Sequence, residues 1–266
     1  MESKLESTYR KIKQLEIQHQ PISLLNTINP VAKLVTTLIY LILMLSVSVY
    51  QLSALLPFVV YPILLAAFAR VSYSRVCMYT LPVLPFILFI ALFNPFLDQQ
   101  TMFTVQNIEV SRGWITFMSI LIRAMLAVQC IMILVISTGM IQLANAMRRI
   151  GVPTILTNQI LFVYRYLILI LEETITIQRA RQSRNCNEKS FVMWSTIVGQ
   201  LFVRSMHRST YIYQAMLSRG YNHTSTIMPY YSWQTKDSYF VVAWITFFLF
   251  IRFFNPTEVF LHDVIF

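Results

Sequence analysis

The stretch ILTNQILFVYRYLILIL, Ile155–Leu171, decides how this chain folds. It is apolar enough to be a membrane helix, since the hydrocarbon core of a bilayer takes about 20 residues of helix. If it crosses, the chain has six spans; if it does not, five. The charges on either side resolve the choice. Arg148 and Arg149 stand before it, and Arg179, Arg181, Arg184 and Lys189 after it. Basic residues beside spans are retained in the cytoplasm, so a single crossing between the two clusters would expel one of them. This charge parity predicts a long amphipathic helix, Pro153 to Arg184, that starts against the membrane and slants away from it. Arg165, between Tyr164 and Tyr166, then suits snorkelling to headgroups or stacking on a tyrosine.

Five other stretches read as spans: Val31 to Val49, introduced by Pro30 at a position where its missing N–H costs nothing; Leu52 to Phe68; Leu81 to Phe96; Trp114 to Ser137; and Ser238 to Phe254. Pro82, Pro85 and Pro95 predict that the third is irregular, with freed carbonyls that neighbouring helices must satisfy, and therefore that it is packed inside the protein. Counting charges orients the chain. With the N-terminus inside, Lys4, Arg10, Lys11, Lys13, Arg70, Arg75 and the basic region from Arg148 to Lys236 are cytoplasmic, while Asp98, Glu109, Glu258 and Asp263 are external. An odd number of spans places the C-terminus outside. The expected fold is an all-α integral membrane protein of the cell membrane with about five transmembrane helices. Its parts are a cytoplasmic N-terminal segment (residues 1–30), four spans (31–137), a cytoplasmic domain of long crossed amphipathic helices (138–237), and the last span with an external tail (238–266).

Composition agrees: 56% of residues are hydrophobic and only 12% charged, against about a quarter charged in a soluble domain, and the mean hydropathy is +0.60. The net charge of +10 sits beside apolar spans, where anionic headgroups select for it, so membrane lipid rather than nucleic acid is the expected partner. The first thirty residues lack the apolar core and cleavage site of a signal peptide, and no processing is expected. Cys77, Cys130 and Cys186 form no C-x-x-C pair and read as inert thiols. His19, His207, His223 and His262 contain no i, i+4 pair, so no resident metal site is expected. None of the five glycines belongs to a G-x-x-x-x-G-K-[ST] loop, so the chain cannot hold ATP in that way. No catalytic residue and no cofactor is expected, and Glu172 and Glu173 read as intrachain ion-pair partners.

Two short segments stand out within the cytoplasmic region: Arg179-Ala180-Arg181-Gln182-Ser183-Arg184-Asn185 and Gln214-Ala215-Met216-Leu217-Ser218-Arg219-Gly220-Tyr221. Each ends an amphipathic helix on a small residue followed by arginine. The second such helix, Phe191 to Arg219, has a polar stripe at Thr196, Gln200, Arg204, His207, Gln214 and Ser218. Trp194, Val198, Leu201, Ile212 and Met216 lie on another face, with Ser205 and Ser209 spaced to let a second helix approach closely. One such arginine could merely complement a helix dipole, with Gly220 an ordinary cap. Two in matched contexts suggest docking onto something acidic, because arginine binds carboxylates bidentately and stays charged.

The chain resembles the transmembrane T component of energy-coupling factor transporters, and most closely the cobalt/nickel-type CbiQ family. The resemblance runs from Asn29-Pro30-Val31-Ala32-Lys33-Leu34 to the last helix. It is carried by Met147-Arg148-Arg149-Ile150-Gly151-Val152-Pro153, by Tyr164-Arg165-Tyr166-Leu167 with Leu171-Glu172-Glu173, and by Ile212 to Tyr221. It implies that Ser183-Arg184-Asn185 and Ser218-Arg219-Gly220 cap coupling helices which insert into two cytoplasmic P-loop ATPase subunits, and that Gln142 to Ile150 is a shorter coupling helix. It also implies a small substrate-binding membrane subunit, the S component, which holds the cobalt or nickel cargo. Asn185 stands where the family usually has glycine, and His207 and Thr210 stand where cobalt-type relatives often have glutamates. The alternatives are a vitamin-type or shared T component and, from another class, an autonomous secondary carrier or membrane-embedded enzyme. Those would call for intramembrane acids, internal repeats or a convergent polar cluster, none of which the spans show.

Overall fold

The computed structural model describes residues 24–97, 101–105, 108–183, 191–222 and 232–254. The described residues fall into two units, one within Pro21–Gly139 and Tyr231–Phe266, the other within Met140–Tyr230.

The first unit is built around one long helix. Helix α1 (Pro30–Leu45) is followed by a 3-10 turn (Ser53–Val59) running into α2 (Val60–Phe68), then by α3 (Tyr73–Thr80), α4 (Leu84–Leu92) and the short α5 (Asn94–Leu97). Strands β1 (Thr101–Val105) and β2 (Ile108–Ser111) pair antiparallel and lead into α6 (Arg112–Thr138). The last helix, numbered α10 below because three helices of the second unit intervene, is Thr235–Phe254. Helix α6 touches α1, α2, α3, α4 and α5, while α10 packs on α1. On α6 the buried residues Ser119, Arg123, Leu126, Cys130, Ile133 and Leu134 recur at steps of three and four, the stripe expected of a helix facing a core. Gln129 and Thr138 are buried as well, while Trp114, Met118 and Ile131 are exposed.

Asn29 starts α1. Its Oδ1 accepts from the Val31 N–H at 3.0 Å, and Pro30 takes the first helical position, where no N–H is needed. The core is aromatic. Tyr40 stacks on Tyr61 at 4.6 Å, and Tyr61 meets Trp244 and Phe248 edge-on at 4.6 and 5.1 Å. The Tyr40 hydroxyl donates to the Phe58 carbonyl at 3.1 Å, so its polar atom is satisfied inside. Around this core the unit turns large apolar side chains outward, including Ile42, Phe86, Phe96 and Phe253, the last 81% exposed. Such a surface suits lipid and not water.

Two helical runs, Tyr73–Phe96 and α6, are long and apolar enough to cross a membrane, and Pro30–Leu45 and Ser53–Phe68 are shorter apolar helices. The third run departs from expectation in two ways. It starts at Tyr73 rather than Leu81, and it is not packed inside: Leu81, Phe86, Phe89 and Phe96 are exposed, with Ile87 and Ala91 buried. The prolines do break it, at Pro82 and Pro85. The break is a 3-10 turn, Leu81–Val83, in which the Leu84 N–H bonds the Leu81 carbonyl. The backbone is thus re-satisfied locally, and no neighbour is required. The β1–β2 hairpin is a second departure from an all-helical reading; its strands are rich in threonine, valine and isoleucine, which fit a pleated backbone.

Both ends of α1 are tied to α10. At the start, the Asn29 N–H donates to Asp237 Oδ1 at 2.8 Å; at the finish, Arg252 Nη2 donates to the Ser46 carbonyl at 3.2 Å. The two helices therefore run parallel, and both begin at the same end of the unit. Arg123 Nη2 also donates to the Ser48 carbonyl, at 2.7 Å. Cys130 is fully buried and Cys77 half-buried; Cys186 lies outside the described residues.

The second unit contains α7 (Met140–Arg149), α8 (Thr154–Ser183) and α9 (Phe191–Ser218). Helix α8 touches both α7 and α9. Helix α7 buries Leu143, Ala144, Asn145 and Ala146. Gly151, at φ +108°, then reverses the chain: the Val152 N–H bonds the Met147 carbonyl and the Gly151 N–H that of Arg148.

Candidate functional site

Helices α8 and α9 carry the two arginine segments. Ile155 to Leu171 forms the first half of α8; Thr157 and Asn158 are buried, and its other residues are a mixture of exposed and half-buried. At the far end the Ser183 hydroxyl donates to the Arg179 carbonyl at 3.1 Å, within the helix. Arg184 and Asn185 lie outside the described residues, as do residues 186–190.

The second tip is described completely. The Ser218 hydroxyl folds back onto the Gln214 and Ala215 carbonyls at 3.0 and 3.2 Å. The Gly220 N–H bonds the Leu217 carbonyl at 3.0 Å, and the Tyr221 N–H bonds that of Met216 at 2.9 Å. This pair of bonds is a Schellman closure, which needs a residue in the left-handed region at the turn. Gly220 supplies it at φ +76°. Ser218, Arg219 and Gly220 are all exposed, so the closure finishes the helix and presents the arginine at its very end.

The contact between α8 and α9 is polar on one side and apolar on the other. Glu173 on α8 pairs with Arg204 at 3.1 Å and Arg208 at 3.5 Å on α9, the intrachain role expected of it. Beside this knot is a groove of about 840 Å³, lined by Phe162, Tyr166 and Ile170 of α8 and by Ser209, Ile212 and Met216 of α9, with Tyr221. Ser205 and Ser209 both face the groove, as their four-residue step suggests. Their hydroxyls donate to the Phe202 and Met206 carbonyls, each at 2.8 Å. Small side chains with internally satisfied hydroxyls leave room for an approaching surface.

Little of α9 is covered. Its expected polar stripe is exposed throughout, and so are Trp194, Val198, Phe202, Val203, Met206, Tyr213 and Leu217; Ile197 is buried. Of the apolar face expected on α9, Trp194 and Val198 are exposed, while Leu201, Ile212 and Met216 are half-buried, the last two at the groove. Two elements of this region escaped the sequence reading. The exposed Val203, Met206 and Leu217 fall outside the apolar face assigned to α9. Tyr221 both completes the cap and lines the groove, a double role invisible in its spacing. No group of three or more His, Cys, Asp or Glu side chains among the described residues could hold a metal ion.

Comparison with known proteins bears on all of this. An uncharacterized protein of the archaeon Methanocaldococcus jannaschii is 29% identical over 114 residues, 41% of this chain and 39% of that protein. The match thus spans about two-fifths of the relative's length. The family model described as CbiQ, cobalt transport protein, matches residues 22–230, which take in the first unit as far as Gly139 and the whole of α7, α8 and α9, but not α10. The chain belongs to the CbiQ cobalt transport protein family.

Proposed function

We propose that this chain is the T component of an energy-coupling factor importer for cobalt or nickel: a non-catalytic subunit that receives motion from two cytoplasmic P-loop ATPases and passes it to a substrate-binding membrane subunit. The observation that carries the reading is the second tip. Arg219 stands on a closed, exposed helix end whose cap needs nothing from its side chain, since the closure is made by the backbone from Met216 to Tyr221. Its guanidinium is left to serve a partner's carboxylate.

Helix lengths support the use of two ATPases. Ser183 lies about 15 Å along α8 beyond Glu173, and Ser218 about 15–20 Å along α9 beyond the arginines that Glu173 binds. The connection from Ser183 to Phe191 reaches about 29 Å at full stretch, which keeps the end of α8 near the start of α9. The two helix ends therefore diverge, to about 20 Å or more, too far for one carboxylate cluster to hold both. The uncovered apolar surface of α9 and the groove beside Glu173 suit the substrate-binding subunit.

The parallel run of α1 and α10 supports the topology. If both start from the cytoplasmic face, an even number of crossings separates them, which fits four spans before α7 and none within Ile155–Leu171. The N-terminus is then cytoplasmic and the C-terminus external. Reporters fused after Gln142 and after Ser190 are expected to read cytoplasmic, and one at the C-terminus external. Opposite readings at the first two sites overturn the coupling-helix arrangement. Co-purification with P-loop ATPases tests the function itself, and a chain that transports metal in vesicles without any ATPase is a carrier instead.

A further inference from the structure

The segment Asn29-Pro30-Val31-Ala32-Lys33-Leu34 has so far only started a helix. The structure puts it against Asp237, 208 positions away. Asp237 is 1% exposed and spans two helix starts: its Oδ1 accepts from the Asn29 N–H at 2.8 Å, its Oδ2 from the Gln234 N–H at 2.9 Å. Each is a backbone donor that helix geometry leaves without an internal partner, and a carboxylate there also complements both helix dipoles. Asn29 answers by donating its Nδ2 to the Ser232 carbonyl at 3.5 Å. One turn inside α1, Lys33 is 2% exposed and within electrostatic reach of the same carboxylate. An ammonium this deeply buried requires a compensating anion, and among the described residues Asp237 is the carboxylate that acts on it.

We propose that Asp237 and Lys33 form a buried latch that fixes the start of α10 to the start of α1. Chain order gives the latch its meaning. In the chain Ser232, Gln234 and Asp237 lie 12 to 17 residues past Gly220, and on the T-component reading they are the first residues after the Arg219–Gly220 tip, among those described, that tie into the start of α1. At their other ends the Arg252–Ser46 bond keeps the same two helices in step. Asp237 is a positioning residue; it meets neither cargo nor nucleotide. The coupling role rests on the T-component reading above, whereas the latch itself does not.

The two are tested separately. In the purified full chain in lipid nanodiscs, hydrogen exchange at the Asn29 and Gln234 amides is expected to quicken about tenfold or more in Asp237→Asn, because two charge-assisted bonds weaken together. Lys33→Met alone is expected to have a smaller effect, since both amides keep their acceptor. The double variant is expected to exchange more slowly than Asp237→Asn but still faster than wild type, because it no longer strands the Lys33 ammonium while the weakened acceptor remains. Exchange that quickens at Gln234 but not at Asn29, or a double variant no better than Asp237→Asn, overturns the latch. Should Asp237→Asn fail to insert, Lys33→Met still decides: exchange unchanged at both amides overturns it. With the ATPases and substrate-binding subunit co-expressed, Asp237→Asn is expected to keep its ATPases while cobalt uptake per ATP hydrolysed falls about tenfold, within the usual range of coupling factors. An assembled variant with wild-type uptake per ATP overturns the coupling role. A wild-type chain that retains no ATPase overturns the T-component reading and leaves the exchange result standing.

Discussion

The α1–α10 pair and the α8–α9 pair are each two helices in contact, held in opposite ways. The first is tied at both ends by charged side chains and filled between them by the Tyr40 and Phe248 rings, tilted against each other at 5.5 Å. The second is joined by Glu173 and its two arginines, with a groove left open beside them and most of α9 bare. A pair of the first kind is complete by itself. The second leaves apolar surface uncovered, at a cost of about 25 cal/mol for each Å², which is the condition of a surface built for a partner.

If that contrast is right, the largest effect of a single change falls in the aromatic core. Tyr61→Ala removes a fully buried ring with three aromatic neighbours and is expected to cost about 3–5 kcal/mol. Thermal unfolding in detergent reads it as a large fall in midpoint. An equal fall from Tyr211→Ala, on exposed α9, would erase the distinction between the two pairs.

Next comes the second tip. Leaving a partner's buried charge unpaired costs about 2–5 kcal/mol, whereas losing a helix-dipole contact costs about 1 kcal/mol or less. Arg219→Ala is therefore expected to weaken ATPase binding severely and Arg184→Ala comparably. Arg219→Lys is expected to restore it in part, because lysine keeps the charge without the fork, and Arg148→Ala to be milder. Titration of purified ATPase subunits onto each inserted variant measures this. Near-normal binding by the alanine variants would reduce the tips to caps.

Two glycines of the same helix region sharpen the picture with opposite signs. A Cβ at Gly220 meets nothing within 4 Å, yet its φ of +76° strains any L residue, so Gly220→Ala is expected to destabilise by about 1–2 kcal/mol. Gly199 also has open space, inside helical α9 without the positive φ. Gly199→Ala is expected to stabilise by about 1 kcal/mol. Helicity and melting of the two variants decide it, and equal signs would contradict the cap.

The smallest effect belongs to Glu173→Gln. Arg204 and Arg208 remain largely exposed, at 59% and 43%, and pairs of that kind are worth about 1 kcal/mol or less and weaken with salt. A melting shift that persists in high salt would mean that the knot is buried by something the isolated chain lacks.

Much of this was legible in the sequence because it is local. The apolar run of α6, the proline break at Pro82 and Pro85, the start of α1 at Pro30 and the end of α9 at Gly220 all depend on residues within a few positions of one another, where periodicity and capping chemistry apply. The third run was misjudged at its start because Arg75 read as a loop charge; in the structure it lies on α3, one turn past Tyr73, whose hydroxyl donates to Gln129 of α6 at 2.7 Å. Its packing was misjudged because a 3-10 turn can satisfy carbonyls that sequence reading assigned to neighbours.

By itself, then, the sequence determined a helical membrane chain, its family, and the glycine-capped end of the helix that precedes Arg219, because apolar length, charge placement and caps are written in short windows. The tertiary structure alone decided which distant groups meet: Asp237 with Asn29 and Lys33, Arg252 with Ser46, and Glu173 with Arg204 and Arg208. The reason is physical. A buried charge or an open helix end states that a partner is needed, but any donor or acceptor of the right kind would serve, and only packing selects which one arrives.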